Sequence, residues 1–299
     1  MKFIANGIDI EVDDTGPGLN ESGAERQVVL LIMGLGMQLI AWPEPFVQKL
    51  VEAGFRVVRF DNRDIGLSRH FDALGVPNVL WAGLKARMGL AVQAPYHLND
   101  MARDSLGVLD ALNIGKAHIV GASMGGMIAQ RVALAAPERC LSLTSIMSTS
   151  GARGLPQTKA HVLRALLNRP ASNSEQDMGD FYVKLIKVIG SPGFPAPEAE
   201  VRERAAIATK RSYHPQGVMR QMVAIMADSQ RADELKKLTV PTLVIHGTDD
   251  VLVPFSGGQD TARRIPKSKL VAVKGMGHDL PAGVQTHILA AMVPHFEAA

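Results

Sequence analysis

The sequence predicts an α/β protein built on a mostly parallel, doubly wound sheet. Three observations lead there. Short β-branched runs alternate with helical patterns along most of the chain. The central runs are apolar at successive positions, as strands are when helices cover both faces of a sheet. One run, AHIVG, passes through a glycine-flanked serine directly into a helical pattern.

Taken in order, IDIEV (8–12), VVLLI (28–32), RVVRF (56–60), AHIVG (117–121), CLSLTSIM (140–147), PTLVIH (241–246) and KLVAV (269–273) read as strands. Helical patterns lie between and after them in PEPFVQKLVEA, LNDMARDSLGVLDAL, MGGMIAQRVALAA and THILAAMVPHF. Pro137 and Gly115 read as helix stops. The segments 16–26 and 71–96 read as loops or small helices. From about Ser150 to Leu238 the strand alternation lapses, giving amphipathic helical patterns (HVLRALL, FYVKLIKVI, VMRQMVAIM) jointed by RGLPQTK, NRPASNSE and GSPGFPAPE. The expected organisation is therefore an α/β core over 1–149, a helical cap insertion over 150–238, and the rest of the core over 239–299.

Composition narrows the function classes. With 32 basic and 29 acidic residues the net charge is only +3, and no basic run interleaved with aromatics suggests nucleic acid. No stretch of ~18 apolar residues would span a membrane, MKFIANGIDIEVDD lacks the apolar core of a secretory signal, and no membrane partner is expected. One cysteine, Cys140, permits no internal disulfide and reads as a small buried residue, so a cytoplasmic protein is expected. No metal-ligand spacing such as HExxH appears among the histidines, and neither metal nor organic cofactor is expected. Nothing in the sequence sets an oligomeric state.

Gly121-Ala122-Ser123-Met124-Gly125 falls at the bend between a strand and a helix. A serine there has its hydroxyl pushed beyond the sheet edge, and its neighbours two before and two after must be small to avoid collision. Gly126 allows close packing behind. No Gly-Lys-Ser/Thr follows, and Leu39 breaks GLGMQL as a GxGxxG pattern, which argues against phosphate binding. A serine hydroxyl is a poor nucleophile near neutral pH and needs a base that is itself oriented by an acid. Downstream, the strand ending at His246 is followed by Asp249 and Asp250, and the strand ending near Val273 by His278. Catalytic groups gather at the carboxyl ends of such strands. Spacing alone does not separate the two aspartates, and Asp279 is a further carboxylate beside His278.

The chain resembles the α/β-hydrolase family over nearly its whole length. The residues that carry this are MGLG with Trp42-Pro43, FDNRDIGLS (60–68), GASMGG, HGTDDVLVP and GMGH. Within the family it is similar to the esterase and cofactor-free haloperoxidase branch, and particularly to aclacinomycin methylesterase-like proteins. The resemblance implies a triad of Ser123, Asp250 and His278, since the pattern HGxxDxxxP places its aspartate at Asp250. It also implies an oxyanion hole from the backbone N–H groups of Met124 and Leu35. At Met33 the chain departs from the usual histidine of that loop, although a backbone donor survives the change. Trp42 is expected to pack near this loop, and Arg63, Asp64 and Ser68 to brace the active-site edge.

The expected function is a serine hydrolase that cleaves carboxylic esters of small to medium, largely apolar substrates through an acyl-enzyme. Perhydrolase or haloperoxidase activity, and lactone or thioester cleavage, would use the same parts; a ligand-binding receptor with little turnover is the alternative from another class. Met124, Met127, Met219, Met222 and Met226 are candidates to line an apolar pocket, with His214 placed to approach it.

Overall fold

The computed structural model describes residues 1–19, 23–168 and 170–299. Part of the 16–26 loop (20–22) and one residue of the NRPASNSE joint (169) lie outside the described residues. The elements in chain order are β1 (Lys2–Ala5), β2 (Ile8–Asp14), β3 (Val28–Ile32), α1 (Glu44–Glu52), β4 (Arg56–Phe60), α2 (Val79–Arg87), α3 (Leu98–Ala111), β5 (Ala117–Ala122), α4 (Met124–Ala135) and β6 (Cys140–Ile146). Then follow α5 (Ala160–Leu167), α6 (Glu175–Ile189), α7 (Glu198–Arg211), α8 (Pro215–Ala227), α9 (Arg231–Glu234), β7 (Thr242–Gly247), α10 (Phe255–Arg264), β8 (Lys269–Val273) and α11 (Ala282–Glu297).

The strands form one sheet in the order β1-β2-β4-β3-β5-β6-β7-β8, antiparallel at β1–β2 and β2–β4 and parallel elsewhere. The seven expected strands all form, three with the expected bounds and four with ends shifted by one or two residues. β1 was not expected. It pairs with β2 through a turn at Asn6-Gly7, both at positive φ, which is the Asn-Gly hairpin signature. Gly115 is not the stop for α3. That helix ends at Ala111, and Asn113 takes the left-handed turn at φ 55°. The 71–96 segment carries α2, and α10 lies in a stretch where the sequence suggests no helix.

Alternate residues of the central strands enter opposite layers. Leu30 and Ile32 of β3 and Ile119 of β5 pack with Leu98, Met101, Ile128 and Val132 of α3 and α4. Val29, Leu31 and Val120 pack with Phe46 and Leu50 of α1 and Ile288 and Met292 of α11. Burial on both faces accounts for the unbroken apolar runs in these strands. The chain leaves β3 toward β4 on one side and later fills β5 on the other. The carboxyl ends of β3 and β5 therefore flank the topological switch point, where open α/β sheets form crevices.

One core polar group makes stability pH-dependent. His118 of β5 is wholly buried, with Nδ1 2.8 Å from Ser142 Oγ, Nε2 3.1 Å from Gln27 Oε1, and its ring stacked on Phe296. Burial, reinforced by His295, lowers its pKa from 6.5 to about 4. Between those values the unfolded chain binds more protons than the native one. The stability present above pH 6.5 is therefore lost as pH falls toward 4, by on the order of 3 kcal/mol. Denaturant titrations across this window should show the loss in the native protein and a smaller one in His118→Gln; equal losses would contradict the assignment.

Candidate active site

Ser123 stands between β5 and α4, at φ 57° and ψ −121°. A non-glycine residue in this region carries strain of roughly 1–3 kcal/mol and is held there by its surroundings. The glycines on either side explain how it is tolerated. A Cβ on Gly121 would stand 2.0 Å from the Gly125 carbonyl oxygen, and one on Gly125 would stand 2.0 Å from that of Ile32. Strand, bend and helix can approach this closely only without side chains. The Ser123 N–H donates to Ile146 O at 2.9 Å, fixing the bend to β6, while the amino terminus of α4 points its dipole at the hydroxyl.

Two loops from the same edge of the sheet reach this hydroxyl. His278, after β8, has Nε2 2.9 Å from Ser123 Oγ and Nδ1 2.7 Å from Asp250 Oδ2, the aspartate lying after β7. The second carboxylate oxygen of Asp250 accepts the N–H groups of Leu252 and Val253 at 2.9 and 2.8 Å. The Asp250 side chain has no solvent exposure. Burial alone would raise its pKa, but electrostatic attraction and the hydrogen bond from His278, with the His246 ring close by, bring it below the usual carboxylate range. The group is therefore an anion at neutral pH, facing Nδ1 of the imidazole.

The neighbouring carboxylates go elsewhere. Asp249 is exposed and accepts the Thr248 hydroxyl at 2.6 Å and the Gly275 N–H at 2.9 Å. Asp279 accepts the N–H and hydroxyl of Ser191 at 3.0 and 2.5 Å, and burial raises its pKa. The same Ser191 oxygen accepts the Gly277 N–H, and the His278 N–H donates to Ile189 O at 2.7 Å. The histidine loop is thus held by the last residue of α6 and the chain just after it.

The loop after β3 lies against the serine. A Cβ on Gly34 would stand 3.1 Å from Ser123 Cβ and 3.6 Å from Oγ. Among the described residues neither the Leu35 nor the Met124 N–H has an acceptor. The loop is braced on both sides of Leu35. Asn62 Nδ2 donates to Met33 O at 2.8 Å, and the Gly36 N–H donates to Gln221 Oε1 at 3.0 Å. Gln221, wholly buried on α8, also donates to Arg63 O. Beside it Arg220 forms a bidentate pair with Asp64, 2.8 Å at each contact, with both side chains fully buried. Arg63 pairs with Asp104 of α3, and Ser68 joins Asp61 O to the Glu11 N–H. The bracing role expected of Arg63, Asp64 and Ser68 is present, and the partners supplied by α8 were not anticipated. His246, expected only as a strand end, has a buried ring that donates through Nε2 to Val253 O and lies 3.4 Å from Asp250.

Ser123 and His278 face a cavity of about 1770 Å³ between the sheet edge and the helices α5–α8. Met124, Met127, Met219, Met222 and Met226 all line it, as does His214. The His214 ring is already engaged, however, by Asp64 O and Asp72 at 2.8 Å each. With His70 and Asp72 it forms the one group of possible metal ligands among the described residues. The two imidazoles stack face to face at 3.8 Å and 5°, so their in-plane lone pairs run parallel instead of converging, and Arg220 already contacts Asp72. Trp42 is buried and stacks on Phe46 in the layer beneath the β3 loop. Cys140 is buried too, its thiol pushed up to about 12, first by burial and also by Glu138.

The family model described as alpha/beta hydrolase fold matches residues 27–281. The chain belongs to this family. Among curated proteins, it is 30% identical over 291 residues to rhodomycin D methylesterase DnrP of Streptomyces peucetius, covering 91% of each chain. It is 28% identical over 262 residues to the putative carbamate hydrolase RutD of Pantoea ananatis, covering 87% of this chain and 84% of that one. Among solved structures, a meta-cleavage product hydrolase from Pseudomonas fluorescens IP01 superposes with a TM-score of 0.74 at 22% identity, covering 100% of this chain and 97% of that one. This last likeness concerns the fold. No helix among the described residues is long and apolar enough to cross a membrane.

Proposed function

We propose that this alpha/beta hydrolase cleaves carboxylic esters, with Ser123 as nucleophile, His278 as base and Asp250 as the acid that orients it. The observation that carries the reading is the continuous chain Ser123 Oγ–His278–Asp250, 2.9 and 2.7 Å long. As Oγ attacks the ester carbonyl, its proton passes to Nε2 and the imidazolium is held by the buried Asp250 carboxylate. The oxyanion accepts the N–H groups of Leu35 and Met124, so the change at Met33 costs no donor. Collapse returns the proton to the departing alcohol and leaves an acyl-serine. Water, deprotonated by the same histidine, then releases the acid and restores the serine. No step calls for a metal or cofactor.

The helices between β6 and β7 act as the cap in this reading, roofing the serine with a methionine-lined face that adapts to different acyl groups. A cavity of about 1770 Å³ exceeds the usual few hundred to a thousand Å³ of small-molecule sites. A bulky apolar acid esterified to a small alcohol therefore fits it well, in keeping with the methylesterase relatives. The test is a panel of methyl and p-nitrophenyl esters of increasing acyl size, with matched carbamates. Ester cleavage with kcat/KM rising toward larger apolar acids is expected; cleavage of carbamates alone, or of none, would contradict it.

A further inference from the structure

Two exposed segments that line the cavity carry an unusual surface. α2 turns Ala82 and Gly83 inward, the first buried and the second facing Met226 of α8, and its large residues Leu80, Trp81 and Leu84 outward. Leu80 is 79% and Trp81 52% exposed, and Leu74, Val76, Leu84, Met88 and Leu90 are exposed around them. A contiguous apolar patch of this kind marks an interaction surface, where scattered single residues would not. α5, which also lines the cavity, exposes Leu163 and Leu167. The Arg153 guanidinium donates to Gly89 O, joining the two segments. Both segments also line the cavity, through Gly83, Ala86 and Leu90 on one side and Leu155, Leu163 and Leu166 on the other.

Charge identifies the partner. The whole chain holds 29 acidic residues in 299, yet neither 73–99 nor 151–174 contains one. These stretches carry Lys85, Arg87, Arg153, Lys159, Arg164 and Arg169 instead. Arg87, Arg153, Lys159 and Arg164 are exposed, and the Lys85 ammonium lies 5.6 Å over the Trp81 ring. We propose that this rim docks the protein on an anionic lipid surface, with the face of Leu80, Trp81 and Leu84 entering the interface and the exposed Arg87, Arg153, Lys159 and Arg164 meeting the headgroups. The cavity then opens into the lipid, and an ester dissolved there reaches Ser123 without crossing water. A second copy of the chain is the poorer occupant, since pairing α2 with itself brings Lys85 and Arg87 against their own copies. Docking lies on the surface and asks nothing of a spanning segment.

Delivery of an ester rests on the hydrolase reading above, while docking does not, and the experiment separates them. The full chain is floated with vesicles of phosphatidylcholine alone or mixed with phosphatidylglycerol. Binding to the mixed vesicles is expected, weakened by salt, with a blue shift of Trp81 emission; Trp42, already buried, stays silent. The double variant Leu80→Ser, Trp81→Ser should bind at least about tenfold more weakly and still turn over a short soluble ester at the native rate, because neither side chain lines the cavity. Ser123→Ala should float as the native protein does. The proposal is overturned if the native chain floats with neither vesicle, if it prefers neutral lipid, or if the double variant binds as well. It is equally overturned if the patch proves to hold two copies of the chain together, the native protein being a dimer and the double variant a monomer. Absence of soluble-ester turnover in a chain that still floats would count against the hydrolase reading alone.

Discussion

Replacing Ser123 by alanine is expected to lower ester turnover by at least ~10³-fold and leave the fold intact. Alanine accepts the same strained backbone at φ 57° about as badly as serine does, and the bend is fixed by the Ile146 contact and the flanking glycines, none of which needs the hydroxyl. The loss should fall on kcat with little change in KM, because the cavity walls that bind the ester are untouched. Residual turnover above water would come from the Leu35 and Met124 N–H groups and from binding. Adding His278→Ala should then cost almost nothing more, since the two residues act as a unit. A Ser123→Ala enzyme with native turnover, measured with a p-nitrophenyl ester under saturating conditions, would end the account.

The second large effect separates two adjacent aspartates. Asp250→Asn should slow turnover by roughly 10³–10⁴-fold, and Asp249→Asn by no more than a few-fold. The reason is a proton position. Asp250 accepts from His278 Nδ1, which leaves Nε2 free to take the serine proton. An asparagine already bonded through its oxygen to the Leu252 and Val253 N–H groups presents NH₂ to Nδ1 instead. The ring then carries its proton on Nε2, facing Ser123, and is no longer a base. Asp249 accepts only the Thr248 hydroxyl and the Gly275 N–H at the surface, bonds that asparagine largely preserves. Because Asp250 is held below the usual carboxylate range, its charge persists through mild acid, so its own titration should not shape activity near neutrality. A larger loss at Asp249 would move the acid by one residue.

The strands that build the sheet were legible because burial on both faces forces long apolar runs, and the turn at Ser123 because close packing there demands glycine at fixed offsets. β1 escaped notice although its Asn-Gly turn carried a readable signal. α10 is FSGGQDTARR, where a glycine pair lowers helix propensity and only one large apolar residue, Phe255, is left to read. The bracing groups were not legible for a different reason. Arg220 and Gln221 sit within VMRQMVAIM and read as the polar face of an amphipathic helix, yet both are wholly buried. Their partners, Asp64, Arg63 and Gly36, lie more than a hundred and fifty residues away, and no local pattern reports such a pairing. Two long polar side chains amid methionines were the only hint.

The most direct test is covalent labelling with a fluorophosphonate, followed by peptide mapping. One adduct per chain on Ser123 is predicted, formed at a rate that falls together with ester turnover in Asp250→Asn and not in Asp249→Asn. Loss of turnover with the label on another residue, or unchanged ester cleavage while Ser123 stays unlabelled, would contradict the account.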